Sequence, residues 1–338
     1  NSMISILAFI FSIGLLVVIH ELGHYLAARS VGVKVEKFYI GFNPGFSFFK
    51  KVINGTEYGI GWLPLGGYVK LAGMLDESFD TSRTNEPTDF HCQPIWAKIW
   101  IMSAGVLMNF LLATLIFSIM TLQYGIPEPI SEEPVIGSII ENHYNPEGEI
   151  IKKSAAYEFG LKSGDKITQI DGKTINTWDD LASSIRTRFN ETIDIKWIRD
   201  DIMLSGSIQT DTTIAVIDYK IKTIGVIGIS REMNVREAGI LESLLRGFEM
   251  MYDFLMRMIF SLYALITGEV SFKDLSGPVG IAQIAGDSAK AGIGSLFYLI
   301  AILSINLGLV NILPIPGLDG GHVFITLIEG VLGRELSL

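Results

Sequence analysis

Three stretches without a single charged side chain constrain this chain before anything else. They run from Asn1 to Ile19, from Ile99 to Pro127 and from Ala291 to Leu318. The first keeps its apolar pattern through His20, Glu21 and His24 as far as Ala28, before Arg29. A helix needs about 20 apolar residues to cross the hydrocarbon of a bilayer, so the pattern predicts three spans. The first has neither the basic start nor the small-residue cleavage site of a signal peptide, and is expected to remain a span. A shorter uncharged run, Met258–Gly268, follows Glu242, Arg246, Glu249, Asp253 and Arg257 at near-helical spacing. It predicts an amphipathic helix lying in the membrane interface. Composition agrees: 49% of the 338 residues are hydrophobic and only 18% charged, which is too apolar for an ordinary soluble domain. A net charge of −10 leaves a nucleic-acid surface without an electrostatic basis. One cysteine, Cys92, excludes an intrachain disulfide framework.

Three crossings make the first and third spans parallel, so their C-terminal ends emerge on one face. Arg29, Lys34, Lys37 and Lys98 flank the segment after the first span, whereas Glu128, Glu132 and Glu133 follow the second. The positive-inside rule puts residues 29–98 in the cytoplasm and residues from about 128 to 240 outside. Three parts are expected. Residues 1–127 form a first membrane half, 128–235 a soluble module, and 236–338 the amphipathic helix and third span.

His20-Glu21-Leu22-Gly23-His24 carries the chemistry. On a helix, residues four apart share a face, so both imidazoles can reach one zinc ion. Glu21 is placed to take a proton from water that the ion activates and to pass it to the leaving amine. Ionisable side chains inside a span are costly, which argues for function. Such a site needs a third protein ligand. Asp319 in Leu318-Asp319-Gly320-Gly321-His322 is the first charge after 28 uncharged residues and lies on the face where the first span ends. A carboxylate beside flexible glycines can turn toward a metal, and Asp319 is favoured over its rival His322. His91 and Cys92 lack partner spacing and read as loop residues.

The outward segment turns polar and strand-like. Its run Ser154–Ile167, with Gly160-Leu161, Gly164-Asp165 and Ile167, resembles the PDZ domains of membrane proteases, modules that bind peptide ends along a sheet edge. HExxH in the first span, a PDZ-like module and Asn311-Ile312-Leu313-Pro314-Ile315-Pro316-Gly317-Leu318-Asp319-Gly320 together resemble the site-2 protease family of intramembrane zinc metalloproteases, most of all the bacterial regulator-of-sigma-E proteases. The resemblance implies a polytopic α-helical inner-membrane protein with a membrane-dipping β-hairpin and an inserted α/β PDZ domain. It also implies zinc held by His20, His24 and Asp319, catalysis by Glu21, and a site near the cytoplasmic face. Implied substrates are single-span membrane proteins such as anti-sigma factors, and remnant signal peptides.

Gly41–Gly45 and Tyr58–Lys70 are similar to the family's hairpin region. Unwinding a substrate helix in lipid exposes amides that need partners. Gly59, Gly61, Gly66 and Gly67 on the hairpin, with Asn311, are therefore expected to bind the unwound segment. For Asn311, a helix-tying amide is the competing reading. Gly105 and Asn109 match the family's G-x-x-x-N pattern and are read as close helix packing against the site. The best-known members carry two tandem PDZ domains, and one is found here. The alternative is a catalytically silent membrane scaffold presenting PDZ and hairpin edges. Glu21 argues against it.

Overall fold

The computed structural model describes residues 2–74, 86–144, 150–217, 220–268 and 278–334. The chain divides into two units, Asn1–Gln123 with Gly239–Leu338, and Tyr124–Ala238.

The first unit opens with helix α1 (Ser2–Ser30), strands β1 (Val35–Ile53) and β2 (Thr56–Leu71), and helix α2 (Ile95–Tyr124). Pro94 at the mouth of α2 suits a helix start, where a missing N–H costs nothing. Along α2, Leu107, Leu111, Leu115, Ile119 and Leu122 form an exposed stripe, while Ala113, Ile116 and Phe117 are buried. Both faces are apolar because lipid takes one and protein the other.

The two long strands make four paired segments. Val35–Ile40 pairs on one side with Gly67–Leu71 and on the other with Glu57–Ile60, and the latter also pairs with Phe49–Val52. Gly41 (φ +79°) and Gly66 (φ +91°) supply the bends that let each strand fold back on the other. Phe46, Phe48 and Phe49 remain more than half exposed on this sheet.

The second unit contains β3 (Ile126–Pro129), β4 (Ile136–Ile139), β5 (Asn142–Tyr144), β6 (Ile150–Lys153), α3 (Ala155–Phe159), β7 (Lys166–Ile170), β8 (Lys173–Thr174), α4 (Trp178–Arg186), β9 (Thr192–Arg199), β10 (Ile202–Gln209), β11 (Asp211–Ile217), β12 (Lys220–Val226), β13 (Ile229–Arg231) and β14 (Met233–Arg236). Its ends are tied by β3 pairing with β14. That pairing moves the limits outward from the expected 128 and 235 to 124 and 238. The main sheet runs β10-β9-β7-β8, antiparallel throughout. Alternation along β9 buries Ile193, Ile195 and Trp197 against Leu161, Ile167, Leu181 and Ile185.

The Ser154–Ile167 run has a structural role at each motif position. Ser154 caps α3 by accepting from the Tyr157 amide, and Gly160 ends it at φ 85°. Asp165 is buried and accepts two hydrogen bonds from the Arg199 guanidinium, each 2.7 Å long, and a third from the Lys162 amide. The connection around His143–Lys153 includes the antiparallel pair β5–β6, and residues 145–149 lie outside the described set.

The first unit resumes with α5 (Ile240–Ile266), α6 (Pro278–Ala291), α7 (Ile293–Ile312) and α8 (Asp319–Leu332). Three described helices are long and apolar enough to cross a membrane: Met3–Ser30, Ile95–Tyr124 and Ile293–Ile312. The expected amphipathic segment is the end of one long helix, α5, and the charged residues Glu242, Arg246, Glu249, Asp253 and Arg257 precede it on the same helix. Within the unit, α5 packs through Met251 and Phe254, the latter stacking on Phe117 with ring centroids 5.6 Å apart. No charge-free run of spanning length marks α6, which packs on α1 where Gly286 meets Ser5. The third charge-free run does not continue as helix to Leu318. Leu313 is extended (ψ 142°), because Pro314 disfavours helical geometry in the residue before it.

Candidate metal centre

His20 and His24 lie one turn apart on α1, and both are about nine-tenths buried or more. Their Nε2 atoms are 3.2 Å apart. The third group arrives from far along the chain. Past the Pro314–Pro316 corner, Asp319 starts α8, where the helix N-terminus favours a negative charge. The glycines after it, expected from the sequence to lend flexibility, instead serve packing. A Cβ on Gly320 or Gly321 would lie 2.3 Å from the carbonyl oxygen of Ile312 or Ile315, so they let the new helix press against the corner that precedes it.

Asp319 Oδ2 stands 3.1 Å from His20 Nε2 and 3.3 Å from His24 Nε2, yet it is a buried oxygen to which no group donates an aligned hydrogen bond. His24 Nδ1 lies 2.8 Å from the Ile101 carbonyl oxygen. A carbonyl only accepts, so Nδ1 carries the proton and Nε2 presents a lone pair to the cluster. Atoms about 2.0–2.1 Å from a tetrahedral zinc ion stand about 3.3 Å from one another, and these three are spaced 3.1 to 3.3 Å apart. The donor set and its spacing therefore fit zinc. Among the described residues, His20, His24 and Asp319 are the group whose ligand atoms converge in this way.

Gly105 of α2 makes room for the cluster. A Cβ there would lie 2.5 Å from His24 Nε2 and 2.7 Å from His20 Cε1. One turn further on, Asn109 is fully buried, with its amide nitrogen 3.1 Å from His20 Nδ1. The helix-packing expectation for these two residues omits their contact with the imidazoles. A polar side chain within a charge-free run was the signal for Asn109. Nothing in the sequence marks Ile101, which acts through its backbone.

A cavity of about 490 Å³ opens on the cluster and is lined by Glu21, Tyr68, Val69, Met102 and His322 among others. The Val69 backbone amide faces the Glu21 carboxyl. His322 shares the cavity without joining the three converging atoms. A second cavity of about 310 Å³, lined by Val106, Leu107, Phe110, Val323 and Phe324, meets the first at Met102 and Asp319.

The hairpin glycines separate into two groups. Gly66 and Gly67 lead into Tyr68 and Val69 at the cavity wall. Gly59, in contrast, has Tyr39 on one side and Lys50 on the other, so its backbone offers no free edge to a substrate. Gly61 pairs with Ser47, and a Cβ on it would lie 2.1 Å from the Phe42 carbonyl oxygen. Gly59 makes room for the Tyr39 ring, and Gly61 for close backbone approach inside the sheet. Asn311, at the end of α7, has its amide nitrogen 3.4 Å from His20 Nε2. His91 and Cys92 contact each other, and His91 Nδ1 lies 3.1 Å from the Gly73 carbonyl oxygen.

The chain matches the family described as Peptidase family M50 over residues 8–338. A regulator of sigma-W protease, RasP, from Bacillus subtilis is 31% identical over 98% of this chain and 92% of its own. A zinc metalloprotease RasP from Geobacillus kaustophilus is 32% identical over 98% and 91%. Among solved structures, the PDZ domain of an SdrC-like protein from Listeria monocytogenes aligns with 31% of this chain and 92% of its own, at 18% identity and a TM-score of 0.22.

Proposed function

The chain belongs to Peptidase family M50, the site-2 protease family of zinc metalloproteases, and on that premise we propose that it cleaves single-span membrane proteins within or near the bilayer. The observation that carries the reading is the convergence of His20, His24 and Asp319 beside Glu21 in one cavity.

His20, His24 and Asp319 hold zinc, which when bound acts as a Lewis acid and lowers the pKa of water to about 7. Glu21 accepts the proton of the attacking water and returns it to the departing amine. The Gly66–Leu71 segment offers backbone partners to an unwound substrate, whose amides have no water to turn to. Asn311 adds a side-chain amide at the same place. The apolar 310 Å³ cavity suits a large apolar substrate side chain next to the cut bond. Exposed Phe46, Phe48 and Phe49 support a hairpin that dips into lipid.

The second unit serves as a PDZ module for peptide ends. A cavity of about 240 Å³ between α4 and residues 224–229 supports that role. Charge asymmetry supports a multi-pass protein of the bacterial inner membrane, with the metal centre toward the cytoplasm and the module outside. The name of the Bacillus subtilis relative supports a substrate of the anti-sigma-factor type.

The test is cleavage of a detergent-solubilised single-span protein by the wild type and by Glu21→Gln at matched zinc content. Cleavage by the first alone supports the assignment. Equal cleavage by both removes Glu21 from the chemistry, and none by either, with zinc bound, favours the scaffold.

A further inference from the structure

Asn109 stands behind His20 in the position that the Ile101 carbonyl holds behind His24. Each touches the Nδ1 atom of its imidazole, at 3.1 and 2.8 Å, on the side away from the cluster. Asn109 is fully buried, and its backbone carbonyl accepts a 2.8 Å hydrogen bond from the Ser304 hydroxyl of α7. Its place is therefore fixed from two neighbouring helices.

Its amide is in an uncomfortable state. The nitrogen end faces His20 Nδ1, while Oδ1 is buried with no partner. With a donor pointing at it, Nδ1 must accept, and the ring proton is forced onto Nε2. That proton would sit among His24 Nε2 and Asp319 Oδ2, where a lone pair is needed for a metal. The two ends of a carboxamide are nearly equal in size, so half a turn about the last bond exchanges them without moving the helix. Oδ1 then accepts from Nδ1–H, the buried oxygen gains a partner, and Nε2 is free to coordinate.

We propose that Asn109 is the positioning residue for His20: its Oδ1, turned toward the ring, accepts the Nδ1 proton and fixes the tautomer that binds metal. The inference rests on the zinc-protease reading and goes beyond it, since it assigns a role to a side chain that touches neither metal nor substrate. Such outer partners of metal-binding histidines typically change metal affinity 10- to 100-fold.

The experiment compares the full chain in detergent as wild type, Asn109→Asp and Asn109→Leu, reading zinc affinity by chelator competition. In parallel, the His20 Nδ1 proton is followed by NMR in the zinc-loaded protein. Asp keeps an acceptor and Leu keeps only the bulk. Zinc binding 10- to 100-fold weaker in the Leu variant, with the Asp variant equal to or tighter than wild type, is the expected result. In wild type the Nδ1 proton should resonate downfield and exchange slowly. Equal affinity in all three, or equal weakening in Asp and Leu, overturns the proposal in favour of packing. If the Leu variant does not fold, a rapidly exchanging Nδ1 proton in wild type overturns it alone. A wild type that binds no zinc fails the underlying reading instead, so the two failures are distinguishable.

Discussion

Replacing Gly105 with alanine adds a single methyl group and tests the geometry of the whole centre. The new Cβ would lie 2.5 Å from His24 Nε2, 2.7 Å from His20 Cε1 and 2.8 Å from His20 Nε2. Ordinary contact begins near 3.4 Å, so the shortest approach is about 0.9 Å too close. Neither imidazole can swing away cheaply, since Ile101 and Asn109 hold them from behind. Metal–ligand distances tolerate about 0.2 Å, and a 1 Å displacement at a catalytic centre costs on the order of 10²-fold. We therefore expect zinc affinity and the cleavage rate at limiting zinc each to fall by about 10²-fold. The control is Gly14→Ala on α1, where a Cβ would meet nothing within 4 Å and alanine favours the helix. The assay is chelator competition for zinc with a parallel melting curve of the metal-free protein. Unchanged affinity in a folded Gly105→Ala protein would refute the claim that α2 is shaped around the ligand atoms.

Other perturbations separate the remaining parts. Glu21→Gln should cut turnover by roughly 10²–10⁴-fold while zinc content, measured by atomic absorption, stays at the wild-type level. Val323→Phe, which narrows the 310 Å³ cavity, should shift the preferred substrate residue from large to small apolar in a cleavage assay across substrate variants. An unchanged profile would mean that the cavity does not read the substrate. Arg199→Met leaves the buried Asp165 carboxylate without its guanidinium partner and should destabilise the second unit by about 3 kcal/mol, seen as faster amide exchange in β7 and β9 of the full chain. For α4, the Thr177 hydroxyl and the Asn176 and Thr177 amides hold the Asp180 carboxyl below its ordinary value of 3.8. A lowered folded-state pKa stabilises above the unfolded value and is lost as pH falls through the folded one. Protection of the α4 amides should therefore hold above pH 3.8 and decline below it.

Local rules carried far in this chain. Charge-free runs marked the spanning helices, because a bilayer penalises any charge and leaves a signal in composition alone. The spacing of His20 and His24 fixed a shared helix face, since an α-helix repeats every 3.6 residues. The cost of a carboxylate at the end of an apolar run pointed to Asp319. Tertiary structure decided what depends on residues distant in sequence. Gly59 looked like a substrate edge until both its neighbours proved to be β1, a pairing set by where two long strands bend. Gly320 and Gly321 looked flexible, and are instead packed against the corner at Pro314 and Pro316. The Ile101 carbonyl behind His24 and the Asn109 amide behind His20 come from a helix more than 70 residues away. Backbone carbonyls leave no trace in residue type, and a lone asparagine does not announce which ring it meets. Sequence alone determined which side chains are able to share one helix face and which carboxylate ends an apolar run, because those follow from local periodicity and the cost of charge in lipid. Only the packed structure decided how those side chains are oriented and kept in place, because orientation is set by contacts between segments that the chain order keeps apart.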